Sequence, residues 1–373
     1  MHETRTLRRA GPVALLACLL ALAVPAASFA EATWEIRGRG WGHGIGMSQW
    51  GAFGFAKKGR SWKKILRHYY RHTKIASTGG GEVRVLLQAG DDSVAFSDAT
   101  SACGVELDAG KTYSAVRDGG DVRLRSGDGQ DLGGCGNSLH ATGGEALRVV
   151  GKGAYRGSLI VVPRDSGGLY AINSVPLEAY LRGVVPNEMP AGWPAEALRA
   201  QAVAARSYAL ATADGGLWDQ YDDTRSQVYG GIDSETKETN QAVEATAGKV
   251  VKHNGKVATT FFFSTSGGRT ESVEFSFAGS GPQPYLKSVK DPFDDGSPYH
   301  RWKQTFSQSE MEARLGDLVD GSLQAIEVTK RGRSPRIVSA KVVGSGGTTE
   351  VSGPALQARL GLRSTWAFFD KRG

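Results

Sequence analysis

The rhythm of apolar and polar positions changes several times along the chain, and each change predicts a different element. Val13 to Val24 is an unbroken apolar run behind Arg5, Arg8 and Arg9. It is too short to cross a bilayer, which needs roughly 20 residues. Ser48 to Gly59 predicts a short helix with a serine cap and a glycine stop. After Ser61, Trp62, Ile65, Leu66 and Tyr69 fall at i, i+3, i+4 and i+7, the stripe of an amphipathic helix. From Glu82 to Pro163 the pattern shortens to alternating runs (VRVLL, VRLRS, LRVVG, SLIVV) between Gly, Asp and Ser clusters, which predicts strands.

Helical rhythm returns at Pro176, where PLEAYLR starts a helix that Pro186 is expected to end. Pro194 opens a longer, alanine-rich helix with Glu196 in its first turn, where the helix dipole favours an anion. Leu198, Ala202, Ala205 and Ala209 form its seam, and it is expected to be the buried spine of the core. Val257 to Ser264 (VATTFFFS) predicts a central strand. Strands resume after Phe306 (AIEVTK, IVSAKVV), followed by a short helix from Pro354 to Leu360 and a last strand in TWAFFD. The mixture is α+β, with an Ala-rich central helix, antiparallel sheets and a β-rich subdomain, and not the regular βαβ alternation of a doubly wound sheet. The expected organisation is a signal peptide at 1–30, a glycine-rich element with two helices at 31–78, the β-rich subdomain at 79–165, a core at 166–305, and a β-rich segment at 306–373 completing that core.

The N-terminal pattern changes the picture of where the chain works. Basic residues, an apolar stretch and small residues near Ala27, Ser28 and Ala30 make a secretory signal, cut after Ala30 or Ala32. Leu15-Leu16-Ala17-Cys18 resembles a lipidation box, but the apolar run continues past the cysteine where such a box would end it. Export removes nucleic acid as a partner, and no later segment is long enough to span a membrane. Cys103 and Cys135 remain for an oxidising compartment, where a disulfide between them is the default and free or differently paired thiols the alternative. The net charge is +7. Residues 1–30 hold three arginines and one glutamate, so the exported part stays modestly basic, suited to anionic wall polymers or simply to solubility.

The stretch GRGWGHGIG, Gly38 to Gly46, has glycine at every second position. In an extended conformation it would have one bare face and one carrying Arg39, Trp41, His43 and Ile45. Something must approach this backbone closely, either a ligand or the core. No register gives G-x-G-x-x-G, and no Lys-Ser/Thr follows, so it is not a nucleotide loop. STSGG at Ser264 to Gly268 lacks the G-x-S-x-G of a nucleophile elbow. His68 and His72 stand at i, i+4 without the glutamate of an H-E-x-x-H site, which favours solvated surface histidines. No metal and no cofactor are expected.

The segment GVVPNEMPAGWP places Glu188 among mostly apolar neighbours between Pro186 and Pro190. A stiff loop between two helices is expected there. Burial would raise its pKa, as a general acid near neutral pH requires, although a glutamate between helices also serves as a cap or ion-pair partner. Gln201 and Tyr208 lie two turns apart on one face of the following helix. Asp223 to Gly230 (DTRSQVYG) and Ser264 to Glu271 (STSGGRTE) are polar segments of the kind that line carbohydrate sites.

Taken together, VVPNEMPAGWPAEALRAQAVAARSYAL, SQVYGG, STSGGRTES, PYLKSVKDP and GWGHGIGMSQWGA followed by ILRHYY resemble the stage II sporulation protein D family (SpoIID/LytB). The resemblance spreads over nearly all of the exported chain. It implies a lytic transglycosylase acting on peptidoglycan, or a non-catalytic wall-binding relative that stimulates an amidase. The family's catalytic glutamate falls on Glu188. Trp41, His43, Gln49, Gln201, Arg206, Tyr208, Gln227, Tyr229, Ser264, Ser266 and Gly267 are the candidate residues for holding a glycan strand, with a structural role as the alternative for Arg206. In the family pattern GWGHGVGMSQYGA commonly closes the domain, whereas here its counterpart comes first. That order looks circularly permuted and places Trp34–Arg39 beside Trp366–Lys371, as paired strands. Some relatives carry a zinc site near the tyrosine-glycine element, but Gly216 to Gly231 has neither Cys nor His.

Overall fold

A computed structural model describes Met1 and residues 32–373. The signal peptide and the Cys18 lipidation box lie outside the described residues. Helices and mainly antiparallel sheets combine in an α+β fold. At its centre is α4 (Ala195–Thr212), against which α1 (Gln49–Lys57), α2 (Trp62–Tyr69), α3 (Leu177–Glu188), α5 (Lys237–Glu244) and the Lys249–His253 strand all pack. Small side chains permit this crowding: Ala197, Ala200, Ala202, Ala204, Ala205 and Ala209 are all buried, on more than one face. The seam expected at Leu198, Ala202, Ala205 and Ala209 is therefore only part of what α4 buries.

The caps show how neighbours take over local roles. Ser48 caps α1 by accepting the Gly51 N–H at 3.1 Å. Ser61 precedes α2 without a side-chain cap. Glu196 of α4 supplies it instead, accepting the Trp62 N–H at 2.7 Å. That carboxylate serves the N-terminus of a second helix as well as its own. The helix α2 ends at Tyr69, so His72 is not on it; His72 has φ +59° and His68 is half-buried, bonded to the Lys290 carbonyl at 2.8 Å. They are therefore not a pair of solvated histidines on one helix.

An eleven-stranded sheet contains the strands from Glu82–Ala89 to Leu169–Pro176 and ends on the short Gln220–Tyr221 strand. Cys103 and Cys135 are joined by a disulfide within it. The strand Thr33–Gly38 lies between Trp302–Ser307 and Ala367–Arg372, antiparallel to both, with Trp34 opposite Lys371 and Gly38 opposite Ala367. The expected adjacency of the two chain segments is present. Leu323–Arg331, Ile337–Gly344 and Thr348–Ser352 form a further sheet. With α6 (Gln308–Leu315), α7 (Gly353–Leu360), Trp34 and Ile36 it encloses its own apolar cluster.

Three segments depart from what their pattern predicts. The glycine run is not extended: Gly40, Gly42, Gly44 and Gly46 have φ of +75°, +101°, +88° and +77°. A Cβ on Gly46 would sit 2.0 Å from the Phe261 carbonyl, and one on Gly40 would sit 2.5 Å from that of Thr265. The glycines are thus required by the turn geometry and by close approach to residues 261–266, and the bare edge faces protein. VATTFFFS is no central strand; only Lys256–Val257 and Phe262–Phe263 are strand, the latter parallel to Met47–Ser48. The Phe261 carbonyl instead accepts the Met47 N–H at 3.1 Å, just past the glycine run, and the Ser264 carbonyl accepts the Trp50 N–H at 3.0 Å. Finally, α3 continues through Pro186 to Glu188. The proline falls in the last turn, where its missing N–H costs one bond. The Met189 N–H still reaches the Val185 carbonyl at 3.0 Å, and Asn187 Nδ2 donates to the Gly183 carbonyl at 2.7 Å.

Candidate functional site

Glu188 is the last residue of α3, and three segments converge on its carboxyl. Gln49, the first residue of α1, donates from Nε2 to Glu188 Oε2 at 3.1 Å. The Val228 N–H makes a second bond, and the Glu188 charge is felt by Tyr208 of α4 and Tyr180 of α3. Burial raises the Glu188 pKa above the ordinary carboxylate value, and the two hydrogen bonds only partly oppose it. A helix C-terminus likewise disfavours negative charge. Among the described residues no cation forms an ion pair with this carboxylate.

The placement of Gln49 follows from the chain before it. Met47–Ser48 pairs with Phe262–Phe263, Ser48 caps α1, and the Trp50 N–H donates to the Ser264 carbonyl at 3.0 Å. The glycine-rich element therefore delivers a buried amide donor to the end of α3. Tyr208 borders two cavities. One, of about 290 Å³, is lined by His43, Phe261, Phe262 and Phe277. The other, of about 430 Å³, has Trp218 and Tyr221 in its wall, and Arg225 and Ser226 border both. Aromatic walls interrupted by hydroxyl and guanidinium groups suit the faces and edges of sugar rings.

The remaining expected residues divide by surroundings. Gln227, beside Val228, accepts from Tyr180 Oη at 3.3 Å; its Nε2 and both amide atoms of buried Gln201 have no partner among the described residues. Such orphaned polar groups need water or a ligand to satisfy them. His43 Nδ1 accepts the Ile45 N–H and its Nε2 donates to the Phe262 carbonyl, each at 3.0 Å. Burial pulls its pKa down to about 4, helped by the Arg336 charge, so it is neutral near pH 7. Tyr229 is buried between Tyr155 and Tyr180 and donates to Asn173 Oδ1 at 2.9 Å. Arg206 is fully buried and grips Glu178 through Nε at 2.8 Å and Nη2 at 2.6 Å. Ser266 and Gly267 are held by Asp294, whose Oδ2 accepts from Ser266 Oγ at 2.9 Å and from the Gly267 N–H at 2.6 Å. Trp41 is exposed, its ring 4.6 Å from that of Tyr299. Gln49 is thus bonded to the Glu188 carboxyl, and Tyr208 and His43 line the cavities; Gln227 and Ser264 connect to the site through neighbours, Val228 and the Trp50 N–H, whereas Arg206, Tyr229, Ser266 and Gly267 are engaged in internal bonds.

The aromatic residues Trp218, Tyr221, Phe261, Phe262 and Phe277 were not among the expected site residues. Phe261 and Phe262 look like core in a triple-phenylalanine run. Only the winding of the glycine segment turns them toward the cavity.

Residues 165–253 match the family model described as Stage II sporulation protein, SpoIID. The matched segment covers Glu188, Gln201, Arg206, Tyr208, Gln227 and Tyr229, while Trp41, His43, Gln49, Ser264, Ser266 and Gly267 lie outside it. Stage II sporulation protein D of Bacillus subtilis (strain 168) is 35% identical over 230 residues, 56% of this chain and 64% of that protein. The Bacillus amyloliquefaciens protein of the same name is 34% identical over 228 residues, with the same coverage of 56% and 64%. The Amidase enhancer of Bacillus subtilis (strain 168) is 42% identical over 142 residues, 38% of this chain and 19% of that protein. The match spans less than two thirds of each relative, and the SpoIID region is built on α3, α4 and α5.

Proposed function

We propose that this SpoIID-type protein is exported and acts on the bacterial cell wall as a lytic transglycosylase. Its substrate is the peptidoglycan glycan strand, and Glu188 is the single general acid and base. The observation that carries the reading is the state of Glu188: a carboxyl raised in pKa by burial, held by two neutral donors, paired with no cation among the described residues, and near enough to Tyr208, which borders two aromatic cavities, for its charge to raise that phenol's pKa.

Protonated Glu188 donates to the oxygen between N-acetylmuramic acid and N-acetylglucosamine, and the bond from C1 to that oxygen breaks. The muramic C6 hydroxyl oxygen bonds to C1, and the Glu188 carboxylate takes the hydroxyl proton. The products are a free 4-hydroxyl and a 1,6-anhydro end, with the acid regenerated and no water consumed. Hydrolysing glycosidases use two carboxylates, but this reaction needs one. The acidic residues of the two polar segments, Asp223 and Glu271, are engaged elsewhere and leave no second carboxylate from those segments free for hydrolysis. Asp223 is ion-paired with Arg225 at 2.9 Å. Both oxygens of Glu271 are occupied, by the backbone N–H groups of Ser272, Arg333 and Ser334 and by Ser334 Oγ.

Glu188→Gln keeps the shape and the contact to Gln49 but cannot donate a proton from a carboxyl. It is expected to fold normally and lose turnover by a factor on the order of 10³. Mass spectrometry of digested glycan reads this as the disappearance of anhydro-muramic ends; equal release by both proteins would refute the assignment. The similarity to an Amidase enhancer favours a second reading, a wall-binding protein that stimulates an amidase. That reading predicts no anhydro ends from either protein, and faster amidase turnover with both.

A further inference from the structure

A cavity of about 840 Å³ lies between the Thr33–Gly38 sheet and the Leu323–Arg331 strand, and shares no lining residue with the two cavities at Tyr208. Five of its lining residues are basic: Arg37, Arg39, Arg301, Lys303 and Arg331. Two of these are neutralised, Arg37 by Asp370 at 2.6 Å and Lys303 by Glu35. Among the described residues Arg39, Arg301 and Arg331 form no ion pair. Arg301 Nη1 reaches only the carbonyls of Gly267 and His300, and Arg331 those of Pro335 and Ala367. Burial and the charge of Arg39 push Arg301 below its ordinary pKa, and burial does the same to Arg331. Cations held together this way, partly out of water, are stabilised by an added anion.

The rest of the lining narrows the class of anion. Ile326, Val328 and Phe368 make part of the wall apolar, and Phe368 is 41% exposed, with the Arg331 guanidinium 4.5 Å over its ring. Two of the contributing strands, Leu323–Arg331 and Ala367–Arg372, are each the outermost strand of their sheet. Their outer edges present N–H and C=O groups that an incoming extended chain can pair with. A phosphate polymer offers no such backbone and nothing for the apolar wall. A peptide alternating acidic and apolar residues offers all three: carboxylates on one face for the guanidinium forks, apolar side chains on the other, and a backbone for the strand edge.

We propose that this cavity is a docking site for an extended, carboxylate-bearing peptide segment, bound along a strand edge with its acidic side chains on Arg39, Arg301 and Arg331. It is separate from the Glu188 site, so its failure would leave the catalytic reading standing, and the converse holds.

The test is fluorescence anisotropy with the full chain and a labelled, end-blocked hexapeptide alternating glutamate and valine. The same peptide with glutamine for glutamate and inorganic polyphosphate serve as competitors. The glutamate peptide is expected to bind and the glutamine peptide to compete at least about tenfold more weakly, as loss of charged hydrogen bonds implies. Arg39→Gln and Arg301→Gln together should weaken binding by a similar factor, with Arg301→Lys, which keeps charge but not the fork, falling between. Binding to the unaltered protein should also change its total tryptophan fluorescence, because Trp302 lines the cavity, and this readout is independent of any variant's folding. Equal competition by the glutamine peptide would overturn the proposal. So would polyphosphate displacing the peptide as well as the glutamate peptide does, or no binding at all.

Discussion

Replacing Gln49 by methionine removes one of the two hydrogen bonds to the Glu188 carboxyl while nearly keeping side-chain volume in a position only 8% exposed. A hydrogen bond to a charged group contributes about 1.5–3 kcal/mol. One pKa unit corresponds to about 1.4 kcal/mol of difference between the two protonation states. Loss of the Gln49 donor therefore raises the Glu188 pKa further, while the Val228 N–H still anchors the group. In the proposed mechanism the protonated form starts the reaction, so the alkaline limb of kcat/KM should move to higher pH. Anhydro-end release measured across pH gives that limb, and a ¹³C titration of labelled glutamate carboxyls gives the same shift without turnover. A limb that stays in place, or moves to lower pH, would refute the idea that Gln49 tunes this acid.

Two further outcomes follow from buried groups away from the reaction. Burial and neighbouring Asp294 raise Asp291 to about 7, against bonds from Tyr69, Ser266 and Ser48; His300 faces Asp294 at 2.9 Å. A carboxyl whose folded pKa is raised contributes stability at low pH that is lost as pH rises from about 4 through 7. Asp291→Asn should flatten that part of the pH–stability curve relative to the unaltered protein, by up to about 4 kcal/mol across the window; parallel urea-denaturation curves would contradict it. Gly46→Ala sets a Cβ 2.0 Å from the Phe261 carbonyl at φ +77°. It should cost more than about 2 kcal/mol in thermal or urea unfolding, and a loss below about 0.5 kcal/mol would show that the glycine run is not held by packing.

Much of the helical frame was legible because its signals are local. The Trp62, Ile65, Leu66, Tyr69 stripe, the serine at position 48 and the proline at 194 act over one or two turns, and α1, α2 and α4 start where they indicate. Pro186 misled because the pattern shows a missing N–H but not the neighbours that complete the last turn. The glycine run misled for the opposite reason. Alternate glycines fit a strand with one bare face, but they also fit a chain that turns to positive φ at every second residue, and only the carbonyls of Phe261 and Thr265 decide between them. Glu188 could be picked out from its apolar, proline-flanked surroundings. Its hydrogen-bond partner could not be found that way, because Gln49 lies 139 positions earlier and reaches it only through the packing of α1. The separate apolar cluster around Trp34, Trp302 and Leu356 was equally hidden, since it is assembled from distant parts of the chain.

The central claim is that bond cleavage uses the sugar's own C6 hydroxyl and a lone acid. Digestion of purified glycan strands in H₂¹⁸O, followed by mass analysis of every new muramic end, tests it directly. Unlabelled 1,6-anhydro ends, absent with Glu188→Gln, are the expected result; ¹⁸O-labelled reducing ends, or no new ends at all, would contradict it.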